Sequence, residues 1–500
     1  MSKTTKLALA AAIPMLLLAG CSDFLKGPGL NTNPNKPTSA TNDQLWVGVE
    51  VAVMAQWENY PLMLFTTWAQ QIAGINRQWQ TYATYSSGID ENAADGAWNQ
   101  TYGPGGLRDL KQIQASLTAA GAIHWRGQTE VLEALYMGTA ADIWGSVPYS
   151  NAMNGSTPPT FDTQAAVYTQ VLATLDAAIT DLASSDTKLP LTDFFYNNDA
   201  ALWTRAAHTL KARFLMHTAP TSATTYNAAT LASVITEASL GIQKGGDLIA
   251  VHSGTPGEQN LFYSFQFSRA GDVGSAAAHI KRIQCAEPVN DEATYTLNLP
   301  TGCIHQAADA FLLPSFYTPN AYGNYYGSTA GLPGDAPAGI SPDSIAFFEV
   351  TNDPSVAWPI VSHAENQMLL AEAQYRTVSA AAGLATLNAF RIANGSAAIT
   401  PAPAGVFILE DILREKFIRN FFSMEVWNDY NRTCYPNTPQ PESIPDSTTS
   451  YVPGRLPVGY TEQATNPNVP AQPSGNPMNA NNFKHTTALD GAVCHGQIHM

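Results

Sequence analysis

The feature that most constrains this fold is a set of apolar stripes that recur at helical spacing along the chain. The clearest stripe contains Val167, Val171, Leu175, Ala178 and Leu182. Asp162 stands before it as a candidate N-cap. Similar spacing predicts helices over residues 127–145, 200–219, 364–377 and 409–427. Paired apolar helices with alanine at positions of close contact predict a mainly α fold, a tetratricopeptide-like helical-repeat scaffold with a period of about 34 residues.

Two long segments lack this periodicity. We expect residues 245–345 and 433–500 to be irregular, and the first of them includes the stretch NLFYSFQF at residues 260–267. Loops of this length in a compact chain are usually functional or flexible. Ligand-binding side chains are therefore expected in these long irregular loops.

The start of the chain has the pattern of an export signal. Lys3 and Lys6 are followed by the fourteen apolar or small residues 7–20. This run is shorter than the roughly 20 apolar residues that a membrane-spanning helix needs. The sequence Leu-Ala-Gly-Cys that ends at Cys21 resembles the lipobox of bacterial lipoproteins. The alternative is a plain signal peptide followed by a chance cysteine.

The lipobox resemblance divides the chain into three parts. It implies that the signal peptide, residues 1–20, is removed and that Cys21 carries diacylglycerol on its thiol and an acyl chain such as palmitate on its amine. Two or three such chains anchor a protein durably, whereas one chain binds a membrane only marginally. Residues 21–42 contain many Gly, Pro and Asn residues and are expected to form the tether. Residues 43–500 are expected to form the folded part.

Charge and motif content exclude several functions. The formal net charge is −16, only 13% of residues are charged, and there is no basic run, so nucleic acid is excluded as a partner. No HExxH, GxSxG, P-loop or GxGxxG motif occurs, and we expect neither a cofactor nor catalysis. No zinc-ligand spacing is present, and no metal site is predicted. A metal held by loop carboxylates such as Glu287, Asp291 and Glu292 stays open as an alternative, although these residues do not follow a calcium-loop pattern.

Four cysteines remain if the first is lipidated. They are Cys285, Cys303, Cys434 and Cys494. An even number in an exported chain permits disulfides, with three possible pairings. The economical pairing joins Cys285 to Cys303 and Cys434 to Cys494, because the first two bracket a short loop-like stretch. Free buried thiols are the alternative.

Seven stretches together resemble one known family. They are NTNPN at 31–35, ADIWGSVPYS at 141–150, the helix at 162–182, Trp203 with AHTLKARFLMH at 207–217, MLLAEAQYR at 368–376, the segment 412–436 and RLPVGYTEQATNP at 455–467. Their residues and order are similar to the motifs of the SusD/RagB family of outer-membrane nutrient-binding lipoproteins. The chain departs from the family pattern at His208, at Gly459-Tyr460 and in the tail 470–500, whose role the resemblance does not assign.

The resemblance carries specific implications. It implies an α-helical scaffold of four tetratricopeptide-like helix pairs, with loops and inserts that carry the ligand site. It implies a position on the outer face of the outer membrane, over a SusC-type TonB-dependent transporter. It also implies a protein that binds oligosaccharides, or peptides in some branches, and that is not an enzyme. The low charge favours a neutral glycan over a charged peptide.

Aromatic loops supply the ligand candidates, because flat rings cover the apolar faces of sugars while amides bond the hydroxyls. The first stretch, residues 78–102, offers Trp79, Tyr82, Tyr85 and Trp98, with Asp90, Asn92 and Tyr102 beside them. The second, within residues 316–326, offers Tyr317, Asn320, Tyr322, Asn324, Tyr325 and Tyr326. Each of these aromatics has core packing as its alternative role. Two other functions remain open: a glycoside hydrolase using acids such as Asp90 and Glu91, and a lipid-anchored scaffold that binds only proteins.

The family motifs themselves are expected to be structural. Asp142, Trp144, Pro148 and Tyr149 are predicted to fix a turn from helix to loop rather than to contact ligand. Glu372 and Arg376 are spaced to pair on one helix face. A charge network is predicted from Arg414, Glu415, Arg419 and Arg432, with a solvated helix face as the alternative.

Overall fold

The computed structural model describes residues 40–84, 91–155, 158–221, 225–283, 312–318, 328, 347–348, 353–400, 408–433, 435 and 454–470. The predictions for Cys21 and for the other four cysteines lie outside these residues, as do those for the signal peptide and most of the tether. The described part is mainly helical, as predicted.

Helices before the middle of the chain pack mostly against their neighbours in sequence. They are α1 (Asn42–Gln56), α2 (Tyr60–Trp68), α3 (Arg77–Ala83), α4 (Glu91–Tyr102), α5 (Leu107–Ala120), α6 (Ile123–Trp144), α7 (Gln164–Leu182), α8 (Ala200–Thr218) and α9 (Ala228–Leu240). From α5 to α9, each helix packs against the next. This serial packing of helix pairs is the arrangement expected of a helical-repeat scaffold.

The second half continues this array. Its helices are α10 (Leu261–Ser268), α11 (Ala277–Ile283), α12 (Leu313–Phe316), α13 (His363–Thr377), α14 (Ala380–Ala393), α15 (Ile408–Arg419), α16 (Glu425–Thr433) and α17 (Tyr460–Thr465). Helix α13 packs on α9 and then on α14 and α15, so the array is resumed across more than a hundred intervening residues.

Three small antiparallel sheets flank the helices. Strand β1 (Ile72–Gly74) pairs with β3 (Val273–Ser275), β2 (Leu248–Ala250) pairs with β6 (Trp358–Val361), and β4 (Tyr317–Thr318) pairs with β5 (Phe347–Phe348). Each pair joins segments that are distant in sequence. The first sheet therefore fastens the inserted segment between α9 and α13 to an earlier part of the chain, and the other two sheets join parts of that segment to each other.

The predicted stripe on α7 is confirmed, but its cap is not. All five stripe residues are buried. The N-cap is Thr163, whose hydroxyl accepts from the backbone N–H of Ala166 at 3.3 Å. Asp162 instead accepts from the backbone N–H groups of Tyr149 and Ser150, at 3.0 and 2.6 Å. Its carboxylate thus bonds the preceding turn rather than its own helix.

The single helix predicted over 409–427 is wrong. The segment forms α15 and α16, separated by a turn in which Phe422 has a φ of 58°, in the left-handed region. Gln71 replaces the missing helical hydrogen bonds. Its side-chain amide donates to the carbonyls of Phe417 and Asn420 at 2.7 and 3.1 Å, and its oxygen accepts from the N–H of Phe422 at 2.9 Å. A side chain more than three hundred residues away thus ends the helix.

The prediction that residues 245–345 are irregular is also wrong in part. This range contains β2, α10, β3 and α11. Helix α10 begins at the stretch NLFYSFQF, where the side chain of Asn260 accepts from the backbone N–H groups of Phe262 and Tyr263 at 2.9 and 3.0 Å. That cap satisfies orphan donors of the first turn, and the apolar side chains then pack against the core.

The charged residues of the family motifs form a buried network, as predicted. Arg432 donates to both oxygens of Glu372 at 2.5 and 2.7 Å and to Asp429 at 2.7 Å. Arg376 donates to Glu372 at 2.8 Å, which confirms their pairing. The remaining members, Glu415 with Arg391 and Arg419, and Arg414 with Asp411, form neighbouring pairs. The alternative of a solvated helix face is excluded.

Candidate ligand-binding surface

An aromatic cluster joins α3 to α10. Trp79 lies 5.8 Å from Tyr60, 5.5 Å from Tyr82 and 5.5 Å from Phe265, measured between ring centroids. The sheet of β1 and β3 holds the two helices in register, because it connects the segment before α3 with the segment after α10. The backbone N–H of Ile75 also donates to the carbonyl of Asp272 at 3.0 Å. This cluster gives the outer helix a rigid base.

Above this base, α10 presents two stacked rings, Tyr263 and Phe267, which we call the aromatic platform. Their centroids are 6.4 Å apart and their planes differ by 14°. Phe267 is 82% exposed and Tyr263 is half-buried. Exposure of an aromatic ring to water is unfavourable. A solvent-facing pair of this kind therefore marks a surface for an apolar or ring-shaped ligand.

The described flanks of both predicted ligand stretches adjoin the same sheet. The first stretch leaves α3 at Thr84, and α3 packs on β1. The second leaves β4 at Thr318, and Ser328 pairs with Ala276 beside β3, its N–H donating to the carbonyl of Ser275 at 2.7 Å. Tyr85, Asn320, Tyr322, Asn324, Tyr325 and Tyr326 themselves lie outside the described residues.

The described ligand candidates lie in the core. Trp79 is 1%, Tyr82 8%, Trp98 2% and Tyr317 0% exposed. Neighbouring aromatic residues cover their rings, and the Tyr317 hydroxyl is 2.7 Å from Nδ1 of His279. Packing is therefore the role visible for these four, and direct ligand contact by any predicted residue stays a prediction.

The platform residues were not among the ligand candidates predicted from the sequence. Tyr263 and Phe267 stand four residues apart, which places them on one helix face once the stretch is known to be helical. The signal that could have found them was Asn260, an N-cap residue type directly before the apolar run.

A cavity of about 610 Å³ lies beside Trp98, between α4, α5 and the segment after α6. Its lining includes Trp98, Tyr102, Arg108, Lys111, Gln112 and Glu462. The Tyr102 hydroxyl donates to the carbonyl of Pro148 at 2.8 Å, and burial raises the pKa of Tyr102 well above its usual value. Aromatic and polar side chains thus converge on one concave space, as in many small-ligand sites.

The turn after α6 follows the structural prediction for most of its motif. Trp144 packs edge-on against Trp98 at 5.0 Å, and the Tyr149 hydroxyl donates to Glu133 at 2.7 Å. Val147 and Asp162 exchange two backbone hydrogen bonds, of 3.1 and 2.9 Å, which close the loop between them. Asp142 has a different role, because its carboxylate points into the core.

Asp142, His217 and Glu425 form a buried cluster whose ligand atoms lie within 4.8 Å of one another, close enough to be considered for a metal. His217 spends both ring nitrogens on the two carboxylates, at 2.9 and 3.0 Å. Burial lowers the pKa of His217, but the two carboxylates outweigh it and raise the pKa to about 9. The guanidinium of Arg213 lies 3.6 Å from Glu425. The cluster therefore fits a buried ion triad better than a metal site.

Within the described ranges, no helix combines the length and the apolar character required to cross a bilayer.

The fold and the platform define a helical-repeat binding scaffold, and comparison with known proteins identifies its family. Residues 34–457 match a SusD-like family described as "starch-binding associating with outer membrane". The chain belongs to the SusD/RagB family. No curated protein matches its sequence.

Solved structures share this fold. A SusD/RagB family protein from Bacteroides thetaiotaomicron is 21% identical, with a TM-score of 0.59 over 86% of this chain and 95% of that one. A protein described as chitin-binding is 20% identical, with a TM-score of 0.66 over 85% and 92%. A chitin-binding SusD homolog from Flavobacterium johnsoniae is 17% identical, with a TM-score of 0.61 over 87% and 100%. These likenesses confirm the tetratricopeptide-like helical fold predicted from the sequence.

Proposed function

We propose that this protein binds a neutral oligosaccharide at the aromatic platform and delivers it to a SusC-type TonB-dependent transporter in the outer membrane. The observation that carries the proposal is the solvent-facing, nearly parallel pair of Tyr263 and Phe267 on a rigid aromatic base. The apolar face of a pyranose ring packs well on such a surface, while nearby amides and hydroxyls bond its hydroxyl groups.

Two further facts support a glycan. The family description names starch, and two structural neighbours are described as chitin-binding. The platform rings carry no charge, which suits a neutral ligand better than a charged peptide. The Trp98 cavity offers a second surface of mixed aromatic and polar character and extends the same proposal.

The lipid anchor belongs to the proposal as well. Diacylglycerol on Cys21 would hold the mature chain on the outer face of the outer membrane, with residues 21–42 as tether and residues 43–500 folded over the transporter. Changing Cys21 to Ala is expected to release the protein from the membrane fraction. Retention in that fraction would contradict the anchor without bearing on sugar binding.

The function is binding rather than catalysis in this proposal. A glycoside hydrolase would release reducing ends from the bound oligosaccharide, and incubation followed by a reducing-sugar assay is expected to detect none. A scaffold that binds only proteins would show no affinity for any oligosaccharide. Copurification of a stoichiometric large β-barrel from mildly solubilised membranes would support the transporter partner.

Phe267→Ala tests the platform directly. We expect the substitution to weaken binding of chitohexaose or maltohexaose, whichever the unaltered protein binds, by about tenfold, since one aromatic stacking contact contributes roughly 1–1.5 kcal/mol. Isothermal titration with the full-length mature protein measures the effect. Leu191→Ala is the matched control, because Leu191 is also highly exposed, at 88%. Equal affinities of the two variants would remove the platform from the site.

A further inference from the structure

A groove of about 490 Å³ lies between α8 and α9, in a part of the scaffold that the proposed function does not use. Ala200 and Ala201 contribute small side chains and Leu240 contributes an apolar one. The polar lining consists of Thr204, Arg205, His208, Ser239 and Gln243. Apolar surface and polar side chains therefore share the lining, with the arginine as its strong cation.

Arg205 is the unusual member of this lining. It is half-buried, yet it has no hydrogen bond, ion pair or ring contact among the described residues. Every other lysine or arginine whose side chain the structure describes has at least one such partner, from Arg77 with Asp272 to Arg432 with Glu372. In a chain of net charge −16, an acidic neighbour would be easy to supply. A half-buried guanidinium left without an acceptor is open to an external one.

The acidic side chain that contacts His208 of the lining is already compensated. Glu237 lies 2.6 Å from Nδ1 of His208 and 2.8 Å from Nζ of Lys211, and Lys211 also contacts Asp176 at 2.5 Å. Two cationic or hydrogen-bonding partners thus neutralise the carboxylate beside the groove. The uncompensated charge that faces the groove is positive.

Neighbouring polar groups complete the site. The side-chain amide of Gln243 is exposed and forms no hydrogen bond within the described part of the chain, so it is free to donate. The hydroxyls of Thr204 and Ser239 donate to backbone carbonyls at 2.7 and 2.6 Å, which leaves their oxygens to accept from sugar hydroxyls. One oxyanion-binding fork and several hydroxyl-binding groups therefore line one small space.

We propose that this groove binds an acidic saccharide, with the carboxylate held by the guanidinium of Arg205 and the ring hydroxyls held by Thr204, Ser239 and Gln243. The planar fork of arginine matches a carboxylate through two parallel hydrogen bonds. The inference stands apart from the platform, which is uncharged and lies on a different helix. A free small oxyanion would share the contact with Arg205 but not the hydroxyl contacts.

Titration of the full-length mature protein with tetragalacturonate, its methyl ester and inorganic sulfate tests the proposal. We expect tetragalacturonate to bind, the neutral ester to bind at least about tenfold more weakly, and Arg205→Gln to weaken tetragalacturonate binding by at least about tenfold, since a hydrogen bond to a charged group is worth roughly that much. Arg205→Lys keeps the charge and loses the planar fork, so its affinity for tetragalacturonate should lie between those of the unaltered protein and Arg205→Gln.

Lys188→Gln is the matched control for the change in net charge, because Lys188 is exposed and, within the described ranges, donates only to the backbone carbonyl of Ala120. We expect it to change affinity by less than about twofold. The proposal would be overturned if Arg205→Gln bound tetragalacturonate as tightly as the unaltered protein does. It would also be overturned if the methyl ester bound as tightly as tetragalacturonate, or if tetragalacturonate did not bind. Sulfate binding that equals tetragalacturonate would also overturn it in favour of a site for free oxyanions. Phe267→Ala should leave this binding unchanged, which separates the two proposed sites.

Discussion

The buried charge network and the aromatic platform solve opposite problems in the same molecule. In the network, Arg432 and Glu372 are both fully buried and hydrogen-bonded to each other, and they also bond Asp429 and Arg376 respectively. On the platform, Phe267 is an apolar ring left in water. The network places charge where water is absent, and the platform places apolar surface where water is present. Each arrangement is costly by itself and needs a partner, internal in one case and external in the other.

This difference separates the parts that hold the fold from the parts that bind. Removing one member of the network leaves its partner as a buried charge without compensation, so the stability of the scaffold depends on every member. Removing a platform ring leaves nothing unsatisfied inside the protein. Stability and ligand affinity should therefore respond to different residues, and four substitutions or conditions can test that separation.

Arg432→Ala should have the largest effect. It leaves the Glu372 carboxylate buried with one of its two arginine partners gone, and we expect a loss of about 3–5 kcal/mol in the free energy of unfolding. Urea denaturation followed by circular dichroism measures it. Arg205→Ala is the control, since that arginine has no partner among the described residues, and it should change stability by less than about 0.5 kcal/mol. Similar losses in both variants would show that the buried network contributes no more to stability than an arginine outside it.

The pH dependence of the His217 triad comes next. The folded pKa of about 9 lies above the ordinary value of 6.5, so the folded state holds the proton more tightly than the unfolded chain does. Its contribution is fully present below pH 6.5 and is lost as the pH rises through 9. We expect a loss of about 3 kcal/mol across that window.

Urea denaturation at pH 6.5 and 9.5 measures this loss. His217→Gln serves as the control, because the variant cannot titrate at this position and its stability should fall less over the same interval. Burial and the neighbouring Asp193 raise the pKa of the Glu50 carboxyl to about 9. Both proteins therefore also lose stability through this group as the pH rises. Parallel pH profiles for the two proteins would exclude the triad as the source.

Close packing inside the array gives a smaller effect. A Cβ added at Gly138 on α6 would lie 2.1 Å from the ring of Phe214 on α8, so Gly138→Ala forces the two helices apart. We expect a loss of about 1–3 kcal/mol in thermal or chemical denaturation. Gly48→Ala on α1 is the matched control, because nothing lies within 4 Å of the added methyl group. That variant should be stabilised by up to about 1 kcal/mol through helix propensity.

Phe267→Ala should have the smallest effect on stability. The ring is 82% exposed, so its removal should change the free energy of unfolding by less than about 0.5 kcal/mol while oligosaccharide affinity falls. Denaturation and titration on the same preparation give both values. A large loss of stability would show that the platform belongs to the scaffold, and that stability and ligand affinity do not depend on separate residues.

Much of the scaffold could be predicted from local pattern. The stripe on α7 and the pair of Glu372 with Arg376 depend on residues three and four positions apart, which the sequence displays directly. The motifs that resemble the family contain Asp142 and Glu425, but they do not display the contact of both carboxylates with His217.

Two failures come from contacts outside the local sequence, and the third comes from an ambiguous local pattern. The break between α15 and α16 is made by Gln71, more than three hundred residues away, and no local signal at residues 409–427 announces it. Asp162 was expected to cap its own helix, but bonds to the turn across the loop compete better. The platform was missed because a run of aromatic residues between turn signals does not distinguish a helix from a loop by its own spacing.

The loop after α6 is closed at its base and is therefore suited to the insertion of additional residues. Because Val147 and Asp162 are already tied by two backbone hydrogen bonds, residues inserted between them add little closure entropy and do not pull on either helix. Asn154 lies in this loop, is exposed and stands next to Gly155 in the rim of the Trp98 cavity. A fluorophore or epitope grafted there would give live cells a reporter of cavity occupancy, in a place where the protein can accept new sequence.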